Sequence, residues 1–163
     1  MATTTLRLHN FVNQETLDKI DKLLEEKKPL RVVICGEDFL KNFFVAELLA
    51  KKWYSKELLD TPSIDIVLDN QVLSQSWDRT NEILKELPSD AHRKVVFIDR
   101  ISRILDRPDD FHGIYIINTF RKIMLEDKKS HFIFSCYQPR MYKKFSRMML
   151  GFDRLITLHI DLD

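Results

Sequence analysis

Apolar residues along this chain alternate between two periodicities. Between Gln14 and Lys27, Leu17, Ile20, Leu23 and Leu24 recur at helical spacing among charged residues, which predicts an amphipathic helix. Lys28-Pro29 ends it, because the residue before proline avoids the helical region. Arg31-Val-Val-Ile-Cys35 follows as a short apolar run between Pro29 and Gly36 and predicts a buried strand. The same two signatures then repeat. Helical spacing predicts helices over Leu40–Lys52, Leu73–Leu87, Phe111–Glu126 and Arg140–Leu150, the second closed by Pro88. Short β-branched or aromatic runs predict strands over Ile64–Leu68, Lys94–Ile98, His131–Phe134 and Leu155–Ile160.

Strand and helix in strict alternation, with strands apolar on both faces, is the pattern of a parallel sheet covered by helices on each side. The fold class is therefore α/β, with a five-stranded parallel sheet. Ligands of such sheets sit at the carboxyl ends of the strands. Here those ends carry Gly36, Asp99 and Ser135-Cys136-Tyr137.

A length of 163 residues suits one domain. Hydrophobic residues at 44% and charged residues at 31% exclude general disorder. Lys and Arg number 26 against 25 Asp and Glu, a net charge of +1. That excludes a globally basic nucleic-acid coat and leaves a local patch open. Only three glycines are present, which disfavours glycine-rich phosphate loops and hairpin-rich all-β folds. Cys35 and Cys136 cannot form a disulfide scaffold and read as small buried apolar residues. The five histidines are scattered singly, without zinc spacing, so no metal site is expected. Met1 to Asn10 lacks the features of a secretory signal, and no apolar run reaches the roughly 18 residues of a membrane span. The expectation is a cytoplasmic protein with no membrane contact.

The first strand end can be tested for a phosphate loop. Such a loop needs glycines so that backbone N–H groups can wrap phosphate, a lysine for the β/γ-phosphates and a hydroxyl for Mg²⁺. Laid on G-x-x-x-x-G-K-[ST], the segment Gly36-Glu-Asp-Phe-Leu-Lys-Asn-Phe43 keeps Gly36 alone. Lys41 replaces the second glycine, Asn42 the lysine and Phe43 the hydroxyl residue. Glu37 and Asp38 add negative charge where a polyanion would bind. The segment reads as a tight strand-to-helix turn with an acidic helix start.

The order of elements nevertheless resembles the core domain of the AAA+ ATPases, over nearly the whole chain. Phe11-Val-Asn-Gln-Glu15 looks like the "GQE"-type start of clamp-loader modules. Gly36 to Ala50 aligns on the family's P-loop and following helix, with Ala46 and Ala50 at small positions. Lys94-Val-Val-Phe-Ile-Asp-Arg-Ile-Ser-Arg103 is similar to the Walker B segment "VIFIDEIDR". His131 to Pro139 resembles the sensor 1 strand, Ser146-Arg147 the serine-arginine pair of clamp loaders, and Gly151-Phe-Asp-Arg-Leu-Ile156 the "GRFDRxI" box. The resemblance implies the strand order 5-1-4-3-2.

The departures imply lost chemistry. Asp99 keeps the Mg²⁺-side carboxylate, but Arg100 stands where the family has its catalytic glutamate, and arginine cannot act as a base. Tyr137 holds the sensor 1 asparagine position, and the arginine of "GRF" is absent, with Arg147 or Arg154 as stand-ins. The chain stops at Asp163, soon after the fifth strand, so residues 1–163 are expected to form one AAA+-like domain without the family's helical lid. Hydrolysis is positioning plus charge neutralisation, and no catalytic residue, metal or cofactor is expected. Asp99 reads as a structural carboxylate paired with a cation.

The expected function is that of a catalytically inactive AAA+-like interaction or regulatory module. It would be a subunit or partner of another ATPase, or of a DNA-replication or repair assembly. Arg140, Lys143, Lys144, Arg147 and Arg154 are the expected partner-binding residues. Met141, Phe145, Met148 and Met149 are expected to hold their helix on the sheet, leaving the cations outward. Two alternatives use other chemistry: a nucleic-acid-binding module acting through the basic helix 140–150, and an ATPase with residual nucleotide binding.

Overall fold

The computed structural model describes residues 6–68, 78, 82, 85–87, 93–101, 111–127, 129–149 and 151–162. Helix α1 (Gln14–Glu25) begins where the Asn13 side chain accepts from the amide of Thr16 at 2.9 Å. It stops two residues short of the predicted Lys27, because Lys27 turns left-handed (φ 55°) and the Lys28 amide closes back on the Leu23 carbonyl. Strand β1 (Arg31–Cys35) leads into α2 (Phe39–Ser55), and β2 (Ile66–Leu68) follows. Strand β3 (Val95–Ile98), helix α3 (Phe111–Glu126), β4 (His131–Cys136), α4 (Pro139–Met148) and β5 (Leu158–Asp161) complete the order. The predicted helix Leu73–Leu87 lies largely outside the described residues, although Asp78, Glu82 and residues 85–87 are helical.

All strand pairs are parallel, in the order β2-β3-β4-β1-β5. This is the expected 5-1-4-3-2 arrangement. Side chains alternate across each strand, so the sheet carries two cores. Val33, Val96, Ile98, Phe132 and Phe134 pack with Ile117, Phe120 and Met124 of α3 and with Tyr142 and Phe145 of α4. Val32, Ile34, Val95, Phe97 and Ile133 pack with Ile20 and Leu24 of α1 and Val45, Leu49 and Trp53 of α2. Trp53 is fully buried and donates from Nε1 to the Lys28 carbonyl at 2.9 Å. It is a core residue, while its neighbour Tyr54 is exposed.

Several boundaries differ from those predicted, three strand ends among them. The strand predicted over Ile64–Leu68 shortens to Ile66–Leu68 at the sheet edge, where β3 alone offers partners among the described residues. Strand β4 runs on to Cys136, because Ser135 and Cys136 continue the pairing with Ile34 and Cys35. The last strand starts at Leu158 rather than Leu155. Gly151 turns at φ 86°, which glycine tolerates best. Phe152 then plugs the core against Phe134 and Phe145, at 5.2 and 5.0 Å between ring centroids. Asp153–Leu155 is consequently a 3-10 turn.

The core at Phe134 is closed by three neighbouring rings, those of Phe120, Phe132 and Phe152. Phe134→Ala is expected to lower the unfolding free energy by about 3–5 kcal/mol. Leu40→Ala, at a position 74% exposed, should change it by less than about 0.5 kcal/mol. Urea midpoints measure both, and equal midpoints would contradict this core.

Candidate functional site

The carboxyl ends of β1, β3 and β4 form the crest at which ligands of parallel sheets bind. At the end of β1 the chain makes a three-residue turn, Gly36-Glu37-Asp38, and enters α2 at Phe39. Asp38 caps the helix. Its Oδ1 accepts from the amides of Leu40 at 2.9 Å and Lys41 at 3.4 Å, and its negative charge meets the positive end of the helix dipole. The Gly36 amide donates to the Cys136 carbonyl, and the Asn42 amide donates to the Asp38 carbonyl, each at 3.0 Å.

Asn42 is 3% exposed. Its Nδ2 donates to the Gly36 carbonyl at 2.8 Å, and its Oδ1 crowds the position a Cβ at Gly36 would take. A Cβ at Gly36 would therefore force the Asn42 side chain to shift. Phe39 and Phe43 pack with the buried Phe97 of β3. Lys41 sends its Nζ to the Leu162 carbonyl at 3.3 Å. A nucleotide polyphosphate needs open amides and a cation at this turn. The Leu40 and Lys41 amides are capped, Asn42 stands in the lysine position and Glu37 and Asp38 are anionic, so the residues present do not fit that group.

At the end of β3, Asp99 is 2% exposed. Its Oδ1 accepts from the Ser135 hydroxyl and its Oδ2 from Arg100 Nε, both at 2.9 Å. The Arg100 amide in turn donates to Ser135 Oγ at 2.8 Å, with Arg100 at the left-handed φ of 50°. Asp99 therefore pairs with a cation and a hydroxyl, as a structural carboxylate does. Tyr137 sits exposed past the end of β4, and Gln138 Nε2 donates to Glu37 Oε1 at 3.0 Å. Cys35 and Cys136 are register partners on adjacent strands, and both are buried thiols outside any disulfide.

Helix α4 places four of the five predicted partner residues together. Arg140, Lys143, Lys144 and Arg147 follow one another at i, i+3, i+4 and i+7, and all are exposed. Arg154 is exposed in the separate Asp153–Leu155 turn. None of the five takes part in an ion pair among the described residues. Pro139–Met148 contains no acidic residue, so every i,i+3 and i,i+4 pairing of these cations is repulsive. Arg140, in the first turn, also opposes the helix dipole.

Of the expected apolar stripe, Phe145 and Met149 face the sheet and Met141 and Met148 do not. Met141 and Met148 are 37% and 54% exposed, whereas Tyr142, Phe145 and Met149 are buried. Those three lie at i, i+3 and i+7 and define the face turned to the sheet. At 100° per residue, Met141 and Met148 fall on the flank between this face and the cations. Tyr142 was hidden from the sequence reading by its hydroxyl. That hydroxyl donates to Asp153 Oδ1 at 2.7 Å, and Asp153 Oδ1 also lies 3.1 Å from His159 Nε2. Burial, reinforced by the hydrogen bond to Asp153, pushes the Tyr142 phenol well above its ordinary value near 10. Asn42 and Ser135 stand where the sequence places them, but their partners Gly36 and Asp99 are not legible there. A serine inside the otherwise apolar run Phe132-Ile-Phe-Ser-Cys136 was the available signal for the second pairing.

No protein-family model matches the chain, and no curated protein matches it. Solved structures do resemble it. The FIGL-1 AAA domain in complex with ADP superposes with a TM-score of 0.63 at 12% identity, over 99% of this chain and 57% of that one. The ORC2 protein of Aeropyrum pernix, in its ADPNP-ADP complexes, gives a TM-score of 0.61 at 11% identity, over 99% of this chain and 50% of that one. A katanin structure that describes self-assembly gives 0.55 at 16% identity, over 95% and 48%. The chain spans about half the length of these structures. The likeness is one of fold, and the chain has an AAA+-like core fold.

Two outcomes follow from the geometry. Asp99→Ala should lower stability by about 1–3 kcal/mol, because it strips Ser135 and Arg100 of a buried acceptor. A denaturant midpoint equal to that of the unchanged chain, together with lost partner binding, would reverse this assignment. The second outcome concerns alkaline pH. The folded state holds the Tyr142 proton where the unfolded chain releases it, so stability present below pH 10 is lost as pH rises beyond it. Tyr142→Phe should flatten this fall. Melting temperatures between pH 9 and 11 measure it, and parallel curves for the two proteins would contradict it.

Proposed function

We propose that this domain is a catalytically inactive AAA+-like interaction or regulatory module, docking onto a protein partner through Arg140, Lys143, Lys144, Arg147 and Arg154. The observation that carries the reading is the β1–α2 turn. There the helix amides that would hold phosphate donate to Asp38, and Asn42 occupies the space over Gly36. Arg100 adds support, since it holds Asp99 where the AAA+ family has a catalytic glutamate. The cationic face of α4 takes part in no ion pair among the described residues, and surface recognition is the task it suits. The resemblance to clamp-loader modules supports a subunit or partner of another ATPase, or of a DNA-replication or repair assembly. A cytoplasmic site of action agrees with this reading, and among the described residues no helix is long and apolar enough to cross a membrane.

Nucleic acid is the second partner class, favoured by the same cations. The third reading, residual nucleotide binding, has the support of neighbours named with ADP and ADPNP. Calorimetric titration with Mg-ATP separates it. The expected result is no dissociation constant tighter than about 1 mM, or roughly −4 kcal/mol, with no phosphate release. A micromolar constant would replace the inactive-module reading with the nucleotide-binding one.

A further inference from the structure

We infer that α4 docks an acidic, amphipathic helical segment of a protein partner, with its cationic face taking the acidic row and Met141 and Met148 the apolar edge. The inference rests on the interaction-module reading above and adds to it the chemistry of the partner. Arg140, Lys143, Lys144 and Arg147 cover two helical turns, about 10 Å of axis. Carboxylates at i, i+3, i+4 and i+7 on a partner helix stack over the same length. Such a row would relieve both the mutual repulsion of the four cations and the conflict of Arg140 with the helix dipole. No acidic residue of α4 does so.

The methionines decide between partner classes. Met141 and Met148 stand seven residues apart along one flank and are exposed. Methionine adapts to irregular apolar surfaces, and Met and Arg are both enriched at protein interfaces. A phosphate backbone would engage the cations and leave this flank unused. Charge elsewhere points the same way. The whole chain carries +1, so outside α4 it is net negative, and a long polyanion would be repelled beyond the two-turn footprint. The helix is also a rigid platform, because Tyr142 is tied to Asp153 and Phe145 packs on Phe152. Little ordering is left to oppose binding.

The test is fluorescence anisotropy on the full chain with three labelled probes. One is a capped helical peptide with Glu at i, i+3, i+4 and i+7 and Leu along the adjoining edge. One is a scrambled peptide of the same composition, and one is a DNA duplex. The first peptide is expected to bind at least about tenfold tighter than the scramble. The combined Arg140→Glu, Lys143→Glu, Lys144→Glu and Arg147→Glu variant should lose at least about tenfold. Met141→Ser with Met148→Ser should lose about threefold or more without changing the salt dependence. Circular dichroism checks each fold, and if the fourfold variant does not fold, Lys144→Glu alone and the methionine pair carry the test. Equal binding of the scramble, an unaffected methionine variant, or no peptide binding at about 1 mM would overturn the inference. So would duplex binding as tight as the peptide's, with a salt slope near −0.9 per contacted phosphate. The Mg-ATP titration is read separately. Micromolar ATP binding with intact peptide docking removes only the inactive-module reading, and lost docking without ATP binding removes only the partner assignment.

Discussion

The rest of the molecule depends on β1 being enclosed. All five of its residues are buried, and it lies between β4 and β5, which come from 100 or more residues further along the chain. A strand covered on both faces and both edges leaves its backbone groups nowhere to go but the neighbouring strands. The Leu30 amide accordingly donates to His131 Nδ1, the Phe132 amide to the Leu30 carbonyl and the Thr157 amide to the Arg31 carbonyl. Arg31 itself is drawn in. Its Nη2 donates to the Asp127 carbonyl at 2.8 Å, and burial lowers its pKa although Asp127 opposes the shift. With β1 held this way, Gly36, Asp99 and Ser135 arrive together on one crest.

That crest is electrostatically closed. Asp38 meets its own helix, Asn42 meets Gly36, Asp99 meets Arg100 and Ser135, and Gln138 bridges to Glu37. Asp99 and Ser135, both buried, satisfy each other as burial requires, while the buried Asn42 Oδ1 has no hydrogen-bond partner among the described residues. Helix α4 is the reverse. Its inner face is fixed by Tyr142, Phe145 and Met149, while its outer face concentrates four cations that repel one another. The solved structures that share the fold at 11–16% identity differ from this chain at most positions. Layer packing therefore tolerates wide change in sequence.

The sequence by itself determined the alternation of helix and strand, the buried strand at Arg31–Cys35 and, to within one residue, that at Val95–Ile98, and the cationic spacing of Arg140 to Arg147. These are local properties, set by the backbone periods of 2 and 3.6 within a few residues. The turn chemistry at Gly36 was legible as a departure from a phosphate loop, though not the Asp38 cap or the Asn42 contact that fill it. Tertiary structure alone decided that Tyr142 rather than Met141 and Met148 faces the sheet, because Asp153 and Phe152 had to be brought to it from across a turn. It also decided the start of the last strand and the pairing of Asp99 with Ser135, which stand 36 residues apart. Such choices follow from which distant surfaces meet, and periodicity along the chain carries no record of that.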